Sequence, residues 1–138
     1  MRYLALRGRT FPTDLNHAGS AFGGWIMSKM DKAASIAVED IVYSPAVTVS
    51  VSDLHFLAPI NNGDIFSVYT EITNIGNTSI TIHVMVETKC KETRKEHLVT
   101  EADFVFVTID ESREPIAVAR VIREDVSKEI KKLLQKDA

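Results

Sequence analysis

Cysteine is nearly missing from this chain. Cys90 stands alone, which excludes an intramolecular disulfide and any cysteine-based metal cluster, and nothing points to secretion. Long hydrophobic runs are missing too. No stretch approaches the roughly 20 apolar residues that span a bilayer, and the start, Met1 to Arg7, meets charge too early for a signal peptide. Basic excess is absent: 16 Lys and Arg stand against 19 Asp and Glu, a net charge of −3, which argues against nonspecific nucleic-acid binding. His55, His83 and His97 are widely spaced on strands or strand ends, without the close carboxylate-flanked pair a zinc site needs, so no metal is expected. The phosphate-loop, dinucleotide-fingerprint and nucleophile-elbow motifs do not occur either. These absences lead us to expect a cytoplasmic protein with neither a membrane nor a nucleic-acid partner.

What is present fits one globular domain over residues 1–138, with 45% hydrophobic and 25% charged residues. Residues 3–10 read as a short strand, followed by a polar loop from Thr13 to Gly19 that is dense in turn formers. From Phe22 to Ile41 the period is helical, with Phe22, Ile26, Met30, Ala33, Ala37 and Ile41 on one face. After Pro45 the period drops to two. Val47, Val49 and Val51 alternate with Thr48, Ser50 and Ser52 in a strand running to about residue 58. Asn61-Asn62-Gly63-Asp64 and Gly76-Asn77 punctuate the next strands, 65–75 and 78–90. A charged link over 91–97, a strand over 98–109 and an amphipathic helix over about 125–136 complete the chain. Within the fifth strand, alternation predicts that Leu98, Ala102, Phe104 and Phe106 face one way. The fold class is α+β: a long helix packed on an antiparallel meander of strands. Such a sheet has open edges, and Phe56, Leu57, Phe66 and Tyr69 add more apolar surface than one helix covers. At least a dimer is expected.

The most informative stretch is Asn16 to Asp31. A pair of glycines, Gly23 and Gly24, opens the helix at a cost of roughly 1 kcal/mol each relative to alanine inside a helix. Either a ligand approaches the backbone N–H groups at the positive end of the helix dipole, or the backbone packs tightly on a strand. Gly24, Ser28, Asp31 and Ser35 fall on one stripe at the margin of the apolar face. Asp31 lies about 10 Å along the axis from Gly24, where partial desolvation would suit a base. Helix-end donors plus a carboxylate are the parts needed for acyl transfer. An ion pair of Asp31 with Lys29 or Lys32 is the competing explanation. His17 beside the helix start, Cys90 between two lysines, and the basic set Lys89, Lys91, Arg94 and Lys95 have weaker claims. A solvated hairpin accounts for the last.

The run Asn16-x-x-Gly19-x-x-Phe22-Gly23-Gly24-Trp25-Ile26-Met27-Ser28-x-Met30-Asp31 resembles the YciA-type acyl-CoA thioesterases of bacteria and the related domains of mammalian cytosolic acyl-CoA hydrolases. The resemblance continues through Val47-Thr48-Val49 and Phe56-x-x-Pro59-Ile60-x-x-Gly63-Asp64, and more weakly through Gly76-Asn77-Thr78-Ser79-Ile80 and Thr100 to Val107. It implies the hot-dog fold, in which a five-stranded antiparallel sheet wraps a long central helix, here with an added C-terminal helix. It also implies hydrolysis of acyl-CoA to a fatty acid and coenzyme A, with Asp31 as nucleophile or general base. Asn16 would reach the site from a partner subunit, and the Gly23 and Gly24 N–H groups would polarise the thioester carbonyl. Substrate-binding roles fall on Phe22, Trp25, Ser35, Asn77, Thr78, Ser79 and Arg123. No cofactor is implied, because coenzyme A is part of substrate and product. The implied assembly is a hexamer made of three dimers. Two departures stand out: Asn77 stands where the family often has Arg, which bears on one phosphate contact and not on acyl transfer, and Ile122-Arg123-Glu124 stands where the family has Pro-Arg-Glu. A silent acyl-CoA-binding module and a hydratase or dehydratase of the same fold are the alternatives.

Overall fold

Both periods in the sequence demand a buried partner, and the computed structural model supplies it by laying one helix into the hollow of one sheet. It describes residues 1–136; Asp137 and Ala138 of the expected 1–138 domain lie outside the described residues. The elements are β1 (Tyr3–Arg9), α1 (Gly23–Glu39), β2 (Ala46–Phe56), β3 (Ile65–Ile75), β4 (Ser79–Lys89), β5 (Glu96–Thr108), the short α2 (Val118–Val121) and α3 (Lys128–Lys136), with a 3₁₀ turn at Pro12–Asp14. α3 begins later than periodicity predicts because Ser127 Oγ accepts the Ile130 N–H at 3.3 Å and sets the helix start there. α2 is too short to show a period.

Ile26, Met30, Ala33, Ala34 and Val38 form the buried stripe of α1. They meet the inward residues of the sheet: Val68 on β3, Ile80, Ile82, Val84 and Val86 on β4, and Phe104 on β5, all buried. Each large side chain buried this way contributes about 1.5–3 kcal/mol, and the alanines let backbone and sheet come close. This is the hot-dog arrangement, with a five-stranded antiparallel sheet and a short C-terminal helix. No helix among the described residues is long and apolar enough to cross a membrane.

The strand order corrects the meander. It is β1-β3-β4-β5-β2, so β2 pairs with β5 (Val47 opposite Val107, Thr48 opposite Phe106) and not with β3. β1 occupies the side of β3 that a hairpin would have used, with Arg9 opposite Ile65. The Asn61–Asp64 turn is therefore a crossover. Its local chemistry is still that of a turn: Gly63 has φ +83, and Asp64 Oδ2 accepts the Asn61 N–H at 2.9 Å.

Bulges overturn two face assignments. Val86 pairs with Thr100 and Glu87 with Leu98, which leaves Val99 as an extra residue. Val99 and Thr100 are both buried in consequence, and Leu98 is turned outward. On β2, register shifts after Thr48 and after Ser52 break the valine alternation and leave Val49 exposed. Expected surplus apolar surface is also redistributed. Phe56 and Leu57 are exposed, but Phe66 is only 5% exposed. Its ring enters the core because Gly8 has no side chain; a Cβ there would lie 2.9 Å from the Phe66 ring. Tyr69 is covered by the Arg2 guanidinium, 3.7 Å from the ring centroid.

The sheet's outer face carries a charged cluster that alternation alone did not suggest. Glu71, His83 and Asp103 stand side by side on β3, β4 and β5. His83 Nδ1 is 2.8 Å from Asp103 Oδ1, and Nε2 is 3.2 Å from Glu101 Oε2. Burial pulls the imidazole pKa down, but the hydrogen bonds to Asp103 and Glu101 outweigh it and raise it above its ordinary 6.5. A raised histidine stabilises the fold fully below the unfolded value and loses that contribution as pH rises through the folded one. The melting-temperature gap between wild type and His83→Gln should thus be larger at pH 6 than at pH 9. An equal gap at both would show that the charged imidazole contributes nothing.

Candidate active site

The loop before α1 is held by its own backbone. Asn16 N–H donates to Ser20 O at 2.7 Å, Ala21 N–H to Ile60 O at 2.8 Å and Phe22 N–H to Asp14 O at 3.1 Å. Asn16 Oδ1 accepts the N–H groups of Ala18 at 2.9 Å and Ser20 at 3.3 Å. Its carbonyl oxygen is thereby committed to the loop, while its amide N–H₂ has no partner among the described residues. Gly19, at φ +88, supplies the left-handed step this turn requires.

α1 then begins without the usual side-chain cap. Phe22 is the N-cap residue, exposed, and no acidic residue stands in the first turn. The first intrahelical bond runs from Ile26 N–H to Phe22 O at 3.1 Å. The N–H groups of Gly23, Gly24 and Trp25 are consequently without acceptors among the described residues, and the positive end of the dipole is uncompensated. The two explanations for the glycine pair divide between its members. A Cβ on Gly23 would press on the Phe56 ring at 3.2 Å, whereas one on Gly24 would meet nothing within 4 Å. Gly23 serves close packing, and Gly24 faces open space. A cleft of about 400 Å³ brings Asn16 and Gly23 together with Phe56, Leu57 and Pro59.

Two turns along the helix, Asp31 is half-buried on the flank facing β2. Its Oδ1 accepts the Thr48 hydroxyl at 2.5 Å. No ion pair to Lys29 or Lys32 forms among the described residues; Lys29 Nζ instead sits 5.3 Å from the Trp25 ring centroid. Thr48 is the site residue that sequence reasoning left unassigned. Its signal was present but non-local: Thr48 lies opposite Phe106, whose side chain points at α1, so Thr48 shares that face.

The remaining expected site residues fall elsewhere. Trp25 lies on the other flank of α1, edge-on to Phe66 at 5.1 Å and 78°. Ser35 is exposed and donates to Lys32 O at 2.7 Å; it lines a small cavity with Glu39 and Ser44. Arg123 Nε donates to Glu39 O at 2.8 Å and its N–H to Ile41 O at 2.9 Å, so it caps the negative end of α1. Asn77, Thr78 and Ser79 form the β3–β4 turn, where Asn77 O accepts Val118 N–H, Thr78 O accepts Thr108 N–H and Ser79 O accepts Gly76 N–H. Within one chain, then, Asn16 and the glycines mark the start of α1, Asp31 its middle, and Ser35 and Arg123 its end. Backbone N–H groups of Thr93 and Glu92 push the half-buried Cys90 thiol pKa down. Among the described residues no group of three or more His, Cys, Asp or Glu could hold a metal ion.

Residues 18–95 match the thioesterase superfamily. A Buchnera aphidicola protein named an uncharacterized acyl-CoA thioester hydrolase is 41% identical over 115 residues, 81% of this chain and 85% of that one. The acyl-CoA thioester hydrolase YciA of Escherichia coli is 35% identical over 118 residues, 83% of this chain and 89% of its own. Among solved structures, a hexameric broad-specificity acyl-coenzyme A thioesterase superposes with a TM-score of 0.84 at 32% identity, over 97% of this chain and 96% of that one.

Proposed function

The chain belongs to the thioesterase superfamily, and from that premise we propose that it hydrolyses acyl-CoA to a free acid and coenzyme A. One observation supports this most: the unpaired N–H groups at the start of α1 and the Thr48-bound carboxylate of Asp31 lie along one helix. The thioester carbonyl oxygen would take the Gly23 and Gly24 donors, which are fixed before charge develops on it. Water activated by Asp31 would form the new C–O bond, its proton passing by way of Asp31 to the departing sulfur; if Asp31 itself attacks, the mixed anhydride so formed is then hydrolysed by water, which supplies that proton. The C–S bond breaks, and coenzyme A leaves as the thiol. Thr48 would hold the carboxylate in place. No cofactor enters this scheme, since coenzyme A belongs to the substrate.

In one protomer Asn16 and the glycine donors stand together at the start of α1 and Asp31 two turns further along it, which favours a site in which Asn16 and the glycine N–H groups of one protomer face the Asp31 of the partner subunit. The exposed Phe56, Leu57 and Val49 along the β2 edge offer the surface for such a pairing. By analogy with the hexameric relative, we assign a trimer of dimers. Light scattering should therefore return about 92 kDa for six copies of the 15.4 kDa chain. A mass of two chains would retain the shared site and remove the hexamer, and a mass of one chain would remove both. The activity itself is read by release of free thiol from a panel of acyl-CoAs of different chain length. Steady turnover is the expected result. Saturable binding without thiol release would instead establish a silent binding module.

A further inference from the structure

The phosphates of a coenzyme A thioester need cations, and of the residues to which the family resemblance gives substrate-binding roles, Asn77 is neutral and Arg123 is partly committed, its Nε capping α1. A different part of the molecule is better suited. Between the edge strand β1 and the first turns of α1 lies a cleft of about 390 Å³, within the size range of small-molecule sites, on the flank of α1 away from Asp31. Arg7, Arg9 and Lys29 line it. None of the three has an ion-pair partner among the described residues, in a chain whose net charge is −3. The one carboxylate there, Asp14, is partly occupied, its Oδ2 accepting the Phe11 N–H at 2.9 Å. Phe11, Trp25 and Phe66 give the same cleft aromatic walls.

We propose that this cleft binds the phosphate-bearing end of a nucleotide, with Arg7 and Lys29 contacting phosphate and Trp25 flanking the base. Cations beside aromatic faces are the pair of features such a ligand uses, one for its charge and the other for its ring. Arginines on an open strand edge also discourage edge-to-edge pairing, but edge protection requires neither a cavity nor an aromatic wall. Arg9 is partly committed, its Nη1 donating to Gly63 O at 2.8 Å, so Arg7 and Lys29 are the residues free to move onto a ligand. Two sources share the chemistry: the nucleotide end of the coenzyme A substrate, which rests on the thioesterase reading, and a free nucleotide, which does not.

Trp25 is the sole tryptophan, so its fluorescence reports occupancy without turnover. Titration of the full-length protein with adenosine 3′,5′-bisphosphate and with ADP should quench it saturably. Pantetheine, which has the arm and no phosphates, should not. The double variant Arg7→Gln, Lys29→Gln should raise the nucleotide Kd about tenfold or more, the scale of a lost charged contact. Added salt should weaken wild-type binding. A fall of about tenfold in the variant's preference for acyl-CoA over acyl-pantetheine would identify the substrate as the source. Lost nucleotide binding with that preference intact would identify a free nucleotide. No quenching, quenching by pantetheine alone, or quenching unchanged in the variant would overturn the proposal. Absence of thiol release would overturn only the thioesterase reading, because the binding titration does not depend on it.

Discussion

Asp31→Asn should lower kcat by roughly 10²–10⁴, the scale of a lost general base or nucleophile. The substitution conserves shape, and the asparagine carbonyl can still accept the Thr48 hydroxyl that now reaches Asp31 Oδ1. What disappears is the negative charge. The carboxylate makes no ion pair among the described residues and sits on the flank of α1, outside the buried stripe of Ile26, Met30, Ala33, Ala34 and Val38. Unfolding should therefore shift little, and the loss should appear in turnover and not in melting temperature. Thiol release measured with saturating acyl-CoA, alongside a thermal melt, separates the two. Activity within threefold of wild type would remove Asp31 from the chemistry.

The second large effect concerns Asn16, and the structure dictates which substitution is informative. Alanine would strip the acceptor that holds Ala18 and Ser20 N–H and could disorder the loop. Asn16→Asp keeps that acceptor, removes the amide donor and adds a negative charge, so the loss it causes is at least that of the donor. If the donor serves the reacting carbonyl, rate should fall by roughly 10²–10³, as for one lost oxyanion contact. Mixing this variant with Asp31→Asn under subunit exchange should then restore activity. In a two-fold dimer with random mixing, about a quarter of the sites would regain both residues. Proven exchange without recovery would place both residues in one chain's site.

Local features were legible from local residues. The 3.6-residue period from Phe22 to Ile41 placed α1 to within two residues at each end, because helical hydrogen bonds join near neighbours. The period of two on β5 identified the inward residues Ala102, Phe104 and Phe106. The stripe carrying Gly24 and Asp31 followed from 100° per residue alone. Thr48 was read as a strand residue and no more, since nothing near it in sequence says which helix its strand will flank.

Non-local features were decided by packing. A turn such as Asn61–Asp64 has the same preferences whether the chain returns beside its last strand or crosses to another, so the pairing of β2 with β5 could not be read from it. The bulge at Val99 reverses a face without changing composition. Phe66 is buried only because Gly8, on the neighbouring strand, leaves room for its ring, and Arg123 became a helix cap because α1 ends beside it. Sequence by itself determined the five strands, the two longer helices, the unusual helix start and the family. The tertiary structure decided the strand order, the partner of Asp31 and which cations share a cleft, because those depend on contacts between residues tens of positions apart, whose geometry no local period encodes.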